Sequence, residues 1–270
     1  MIRAPRRDTE LGLLVLVALV IGGAYALASL GKSASLPANI GPFLGIILGL
    51  LLAAHLAVRR LAPGADGVLL PVAGLLNGLG YVFIARLDRD LAGLQATWTG
   101  LGILAFVGTL VVVRRARDLE RYRYTFMLLG IGLLLMPLLP GIGRNIHGAR
   151  LWVRVGPMTF QPGELAKVAL AIFFAAYLVE KRELLSEFRM TRGRIPHIRV
   201  IGPILLAWGV SLLVMTAERD LGSSLLFFAL FIVLLWVATA RNVYLGIGAA
   251  MFAGGALIAY SVFDHVQTRI

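Results

Sequence analysis

Glu164 and Lys167 form the pair of side chains in this sequence that is best suited to chemistry. They lie three residues apart in the segment QPGELAK (residues 161–167), so on a helix they share one face. A lysine one turn inside an apolar segment is costly unless it is paired or faces a wet cavity, so a functional role in a polar cavity is one interpretation. The alternative is structural, because Pro162 and Glu164 suit a helix start and Lys167 can extend its ammonium group to the nearby surface.

Two further carboxylates, Glu218 and Asp220, lie in a very short turn between two apolar segments. Asp220 also suits the N-cap of the helix that follows, but this interpretation does not account for Glu218. We therefore expect both carboxylates to converge with Glu164 and Lys167 on one outward-facing polar cavity.

Arg150, Trp152 and Arg154 alternate in the segment GARLWVRVG (residues 148–156), so they share one side if the chain is extended there. Guanidinium groups bind phosphate in a bidentate manner, which indicates capture of an anionic lipid headgroup. The alternative is a plain interfacial anchor, since tryptophan is enriched at membrane surfaces.

Membrane-spanning helices are the elements that must position these residues. The chain has 270 residues, of which 59% are hydrophobic and 15% charged, and its mean hydropathy is +0.86. A soluble fold could not hide so much apolar surface. We predict an all-α fold, a polytopic integral membrane helical bundle with about nine spans of roughly 20 residues each. The nine stretches are 11–30, 41–58, 68–84, 95–113, 124–140, 164–180, 200–216, 221–239 and 243–263.

The net charge of +12 fits either a nucleic-acid surface or the cytoplasmic loops of a membrane protein, and position decides between them. With the N-terminus in the cytoplasm, the inner segments hold 17 of the 26 Lys and Arg residues. The positive-inside rule therefore predicts a cytoplasmic N-terminus, with residues 141–163 and the turn at 218–220 outside. No nucleic-acid partner is expected.

Several kinds of site are excluded by residue types and spacing. The chain has no cysteine, which excludes disulfides and thiolate chemistry, and its four histidines are scattered without metal-ligand spacing. No phosphate-binding GxxxxGK[ST] motif occurs. No cofactor is therefore identified, and a divalent cation is left open. The glycine spacings at residues 45–49 and 74–78 predict close helix packing.

Three segments carry a resemblance to a known family. The run GARLWVRVG followed by QPGELAK resembles the signature of the SEDS family, whose usual Gln-Pro-Ser-Glu is altered here by Gly163. The segment ERDLGS (residues 218–223) resembles the family's Pro-Asp-Leu-Gly-Thr turn. The end of the sequence, FDHVQTR (residues 263–269), looks like the opening of the family's large extracellular loop. The similarity runs from about residue 68 to residue 270 and is greatest to RodA-type members from high-GC Gram-positive bacteria.

The resemblance implies a fold and an activity. SEDS proteins, among them RodA, FtsW and SpoVE, are peptidoglycan glycosyltransferases of the bacterial plasma membrane that polymerise lipid II in cell elongation, division and sporulation. Their core of ten helices implies that residues 68–270 supply core helices one to seven, after two extra helices in residues 1–67. The family's catalytic aspartate would lie beyond Ile270, so we assign no catalytic residue, and activity of this truncated chain alone is left open.

The positions that match the family's motifs are implied to line or shape the lipid II cavity. They are Arg150, Trp152, Gln161, Glu164, Lys167, Glu218 and Asp220. Arg150 and Lys167 would hold the pyrophosphate of the donor, while a carboxylate deprotonates the acceptor hydroxyl group. The implied partners are lipid II, the surrounding lipids and a class B penicillin-binding protein, which is a transpeptidase.

Two other functions fit the same residues. A lipid II flippase, or translocase, would use the polar cavity for passage of the headgroup without covalent chemistry. A membrane scaffold for a transpeptidase would need neither catalysis nor transport.

Overall fold

The computed structural model describes residues 7–33, 40–146, 149–156, 158–186, 205, 208–210, 212–213 and 221–262. Its α-helices are α1 (Arg7–Ser33), α2 (Ile40–Leu61), α3 (Leu69–Leu87), α4 (Arg89–Val112), α5 (Arg123–Leu135), α6 (Pro162–Glu180), α7 (Arg182–Ser186), α8 (Leu221–Thr239) and α9 (Asn242–Val262). Two 3-10 helices span Ala116–Tyr122 and Met136–Leu138. The strands are β1 (Gly143–Ile146), β2 (Ala149–Val155) and β3 (Met158–Phe160).

Six helices in the described part of the chain are long and apolar enough to cross a membrane. They are α1, α2, α3, α4, α6 and α8, and each coincides with a predicted span to within a few residues. The predicted fold class, a polytopic helical membrane protein, is thereby confirmed. The predicted span at 200–216 falls largely outside the described residues, so the total of nine spans stays a prediction.

Helix α5 is shorter than the predicted span at 124–140, and that boundary is wrong. It ends at Leu135, and a 3-10 turn that contains Pro137 follows it. Proline lacks the N–H group that an α-helix needs and disfavours helical geometry in the residue before it, so the second proline at Pro140 also prevents continuation. The 13 residues of α5 span about 20 Å, and the three-residue 3-10 turn that follows adds about 6 Å, so the segment as a whole approaches the hydrocarbon thickness of about 30 Å.

Residues 1–114 form one compact unit, in which α1 packs against α3 and α4 packs against α2 and α3. Gly74 and Gly78 allow the close approach on α3: a Cβ added at Gly74 would lie 2.8 Å from Leu51, and one added at Gly78 would overlap Ile21. The predicted packing role is confirmed at these two glycines. At residues 45–49 no described atom comes within 4 Å of a Cβ added at either glycine, so the packing role there stays a prediction.

Residues 115–270 form the second unit, whose core joins α5, α6 and α8. Aromatic rings dominate this core: the ring centroids of Phe173 and Phe174 are 5.2 Å apart, and Phe174 lies 5.8 Å from Phe227. The beginning of α5 is joined to the end of α6 by an ion pair between Arg123 and Glu180. Lys181 also pairs with Glu180 at 2.7 Å, and this hydrogen bond raises the pKa of Lys181 above its usual value. These contacts fix the antiparallel pair α5–α6, so the other end of α6 is held beside the end of α5.

A three-stranded antiparallel sheet in the order β1-β2-β3 precedes α6, an addition to the all-α expectation. The tight packing of β1 requires Gly143, because an added Cβ there would overlap the carbonyl group of Pro137. Gly156 has φ of +61°, the left-handed conformation that glycine adopts readily, and it lies between β2 and β3. The three strands therefore lie between the end of α5 and the start of α6.

Candidate functional site

The strand β2 carries Arg150, Trp152 and Arg154, which confirms that this segment is extended. Arg150 and Arg154 are exposed and Trp152 is half-buried, whereas Val153 is 4% exposed. This is the alternation expected of a strand that covers a core with one face. Val153 thus anchors the strand, while the basic side chains remain available on the surface.

Arg144 is a functional candidate that the sequence analysis did not single out. It lies on β1 directly opposite Trp152 of β2, so both side chains project to the same face of the sheet. The register shifts between Arg144 and Ile146, which makes the pairing irregular beside Arg150. The sequence signal for this contact is two short segments, 143–146 and 149–155, that can pair as a hairpin. The sequence analysis considered only the second segment as extended and did not consider the pairing.

Three arginines, Arg144, Arg150 and Arg154, are exposed on the two strands, and we call them the sheet arginines. Among the described residues, no carboxylate oxygen lies within the 4 Å of an ion pair from any of them. Arg154 uses its Nε to donate to the carbonyl of Gly156 at 2.9 Å, which leaves its two terminal nitrogens for a ligand. Such a concentration of positive charge suits the phosphate groups of an anionic lipid.

Helix α6 starts directly after β3, as the helix-start pattern predicted. Gln161 adopts extended geometry before the helix, Pro162 occupies its first position and is buried, and the carbonyl of Gln161 accepts from the backbone N–H of Glu164 at 3.2 Å. Proline is pre-organised for this position because its fixed φ is helical and its absent N–H is not needed. The Gln161 side chain makes no capping hydrogen bond to the helix, so capping does not explain why glutamine occupies this position.

Lys167 and Glu164 form an ion pair, with Nζ donating to Oε1 over 2.8 Å. The predicted sharing of one helix face is therefore confirmed. The Lys167 side chain is 15% exposed and that of Glu164 is 59% exposed. Lys167 therefore has a defined partner at the start of α6, and the pair as a whole is electrically neutral.

Glu218 and Asp220 lie outside the described residues, so their convergence with Glu164 and Lys167 stays a prediction. Helix α8 begins at Leu221, the residue after Asp220. The sheet and the start of α6, by contrast, are joined in the structure, because β2 packs on α6. The arrangement of Arg150, Trp152, Gln161, Glu164 and Lys167 around this junction is what we call the candidate site.

Metal ligation has no candidate cluster in the part of the chain that the structure describes, where no group of three or more His, Asp or Glu side chains is close enough to share an ion.

Comparisons with known proteins bear on the same residues. The family described as "Cell cycle protein" (FtsW/RodA/SpoVE) matches residues 86–270. The chain is 38% identical to "Peptidoglycan glycosyltransferase RodA" of Mycobacterium tuberculosis over 98% of its own length and 59% of that protein's. It is 34% identical to "Probable peptidoglycan glycosyltransferase FtsW" of Nitrosococcus halophilus, over 75% of this chain and 52% of that protein. No solved structure matches the chain.

The family match includes every residue of the candidate site and the whole range of the second unit. The chain spans about three fifths of the length of the curated RodA relatives it matches, 59% in each case. The helices long enough to cross a membrane agree with this assignment. The chain belongs to the SEDS family of multi-pass membrane proteins, on its RodA-type branch.

Proposed function

We propose that this chain is part of a peptidoglycan glycosyltransferase that polymerises lipid II into glycan strands for cell wall elongation and cell shape. The observation that carries the proposal is the set of sheet arginines, which have no carboxylate partner among the described residues and directly precede the Glu164–Lys167 pair. The printed name of the mycobacterial relatives, at 38% identity over 98% of this chain, supports the same activity.

The proposed reaction is a glycosyl transfer. The acceptor hydroxyl oxygen attacks the anomeric carbon of the donor sugar, and the bond from that carbon to the pyrophosphate oxygen breaks. The electron pair leaves with the lipid pyrophosphate, and the hydroxyl proton passes to a carboxylate base. Cations that face the leaving group lower the barrier, because negative charge grows there in the transition state.

The sheet arginines and Lys167 are our candidates for holding the pyrophosphate. Each guanidinium group can donate two parallel hydrogen bonds to phosphate oxygens. Lys167 is already paired with Glu164, so an incoming phosphate would compete with that carboxylate for the ammonium group. We assign Trp152 to the boundary between lipid and water, where an indole ring is favoured, and Gln161 to the sugar or peptide of the headgroup.

The remaining assignments rest on the sequence. We propose that the N-terminus is cytoplasmic, which puts the sheet and the start of α6 on the outer side, where glycan strands are built. Glu218 and Asp220 would then face the same outer cavity. We also propose that residues 1–67 are two additional helices and that residues 68–270 belong to the family's core.

We propose two further components. A class B penicillin-binding protein would cross-link the strands that this protein makes. A divalent cation would neutralise the pyrophosphate together with the sheet arginines, which predicts that a chelator slows the reaction and that added Mg²⁺ restores it.

The protein expressed from the complete gene and incubated with lipid II in detergent tests the enzymatic function, since detergent removes membrane sidedness. Glycan polymer in that assay supports a glycosyltransferase. Headgroup passage across liposome membranes without any polymer would instead identify a translocase. Full cell-shape function in an Arg150→Ala/Lys167→Ala variant would favour the scaffold.

A further inference from the structure

A cavity of about 650 Å³ lies between α2, α3 and α4 of the N-terminal unit. Its volume falls in the range of sites for small molecules, about 300–1,000 Å³. Its walls are mainly apolar and include Leu51, Leu70, Ile103, Phe106 and Leu110. None of the described residues assigned above to lipid II lines this cavity, so its function requires a separate explanation.

Three polar side chains, Asn77, Gln95 and Thr99, interrupt this apolar wall. Asn77 Oδ1 accepts hydrogen bonds from Gln95 Nε2 at 3.4 Å and from Thr99 Oγ1 at 3.2 Å. Among the described residues, no hydrogen bond reaches the amide nitrogen of Asn77 or the side-chain oxygen of Gln95. The cavity therefore presents an amide donor and a carbonyl acceptor to whatever occupies it.

The depth of this polar group limits the choice of occupant. Asn77 lies eight residues after the start of α3 and ten before its end, which is about 12 Å and 15 Å along the helix. It is therefore near the middle of a hydrocarbon layer of about 30 Å, where an unpaired amide is costly. A phospholipid keeps its polar groups at the membrane surface, so its chains could not satisfy Asn77.

The charge and the aromatic side chains of the cavity further limit the kinds of ligand that fit. Among the lining residues Asp66 alone is ionisable, and its Oδ1 accepts from the backbone N–H of Val68 at 3.0 Å in the loop between α2 and α3. No cationic side chain of the described residues lines the cavity to bind a phosphate or a carboxylate. Trp98 and Phe106 supply flat aromatic surfaces, and Trp98 directly precedes Thr99.

We propose that this cavity binds an uncharged, lipid-soluble molecule made of a carbonyl-bearing ring and a hydrocarbon chain, as in the quinone class. A ring carbonyl oxygen accepts a hydrogen bond from the Asn77 amide, and the ring lies against Trp98. The chain occupies the apolar part lined by Leu70, Ile103 and Leu110. This proposal is independent of lipid II polymerisation.

Quenching of Trp98 fluorescence tests the proposal directly, because Trp98 lines the cavity. In the protein expressed from the complete gene, every tryptophan except Trp98 is replaced by Phe, and decylubiquinone is titrated into the detergent solution. We expect saturable quenching. Gly102→Leu should abolish it, because Gly102 lines the cavity and open space there accepts a new side chain.

The matched control is Gly100→Leu, on the same helix, also facing open space and not part of the cavity lining. It should leave the quenching unchanged. Asn77→Leu should raise the apparent Kd for decylubiquinone at least tenfold. This variant provides the test if the Gly102→Leu protein does not elute as a folded protein, and an unchanged Kd would then contradict the proposal.

Two results would overturn the proposal. The first is quenching that rises linearly and equally in the Gly102→Leu and Gly100→Leu proteins, since the quinone would then merely dissolve in the micelle. The second is saturable quenching by brominated phosphatidylcholine that decylubiquinone does not displace, which would assign the cavity to an ordinary phospholipid chain.

Discussion

Lys167 Nζ lies 2.8 Å from Glu164 Oε1 within the first two turns of α6, and the lysine side chain is largely buried while the glutamate is largely exposed. Because the Glu164 carboxylate is largely in solvent, the pair contributes on the order of the 0.2–0.5 kcal/mol known for helix pairs at this spacing, a small part of the stability of the whole protein. The pair is therefore better suited to keeping an ammonium group at the junction of the sheet and α6 than to holding the fold together.

Lys167→Ala should abolish glycan polymerisation in the protein from the complete gene, while leaving its membrane insertion and Tm nearly unchanged. The reason is that the substrate loses a cation, whereas the fold loses one weak ion pair. Polymer length from purified lipid II and thermal unfolding in detergent provide the two measurements.

The control is Lys181→Ala, which removes a lysine paired with a glutamate at the opposite end of the same helix. It should retain normal polymerisation. Polymer of normal length from the Lys167→Ala protein would refute the proposal that Lys167 binds the substrate.

Gly143→Ala should displace β1 and weaken substrate binding, although it replaces none of the residues proposed to contact the substrate. The new methyl group would overlap the carbonyl of Pro137, so the backbone beneath Arg144 must move. We expect a higher KM for lipid II and faster hydrogen exchange in residues 143–146.

Gly132→Ala on α5 is the matched change, because an added Cβ there meets open space. Hydrogen exchange of β1 that is equal in both variants would show that the Gly143 contact does not hold the strand.

Gly78→Ala should destabilise the N-terminal unit by about 1–3 kcal/mol, because its methyl group would overlap the buried Ile21 side chain. Gly80→Ala, on the same helix and facing open space, should not. Thermal unfolding in detergent measures both changes. An Ile21→Ala/Gly78→Ala double variant should be more stable than the additive expectation, and strict additivity would refute the contact.

His55→Leu should cost about 3–5 kcal/mol, because it leaves the buried Glu10 carboxylate without its partner. His55 Nδ1 and Glu10 Oε1 are 2.8 Å apart, and both side chains are less than a tenth exposed. Replacing both residues by Leu should recover much of the loss, since no buried charge then remains. Unfolding curves that place the double variant below His55→Leu would contradict this account.

The features that the sequence predicted correctly are local ones. The start of α6 follows from Pro162 and from the spacing of Glu164 and Lys167, which depends on a single helical turn. The placement of Arg150 and Arg154 on one side of β2 follows from the two-residue period of an extended chain. Most helix positions likewise follow from uninterrupted apolar stretches.

The features that sequence reasoning missed depend on contacts between distant residues. The Arg144–Trp152 pairing requires knowing that two short segments form a hairpin, and the Glu10–His55 pair joins positions 45 residues apart. The glycine spacings at 45–49 and 74–78 look alike in sequence. Among the described residues they differ in whether a neighbouring helix packs against that face, and the sequence spacing alone does not show this.

The central claim is that the sheet arginines bind the pyrophosphate of lipid II, and its most direct test is the KM for lipid II of an Arg150→Gln/Arg154→Gln variant. The matched control is Arg115→Gln/Arg117→Gln, which removes two exposed arginines outside the sheet. We predict a KM at least tenfold higher for the sheet variant, about 1.4 kcal/mol of lost binding, and a weaker dependence on salt. Equal KM values and salt dependence in the two variants would contradict the claim.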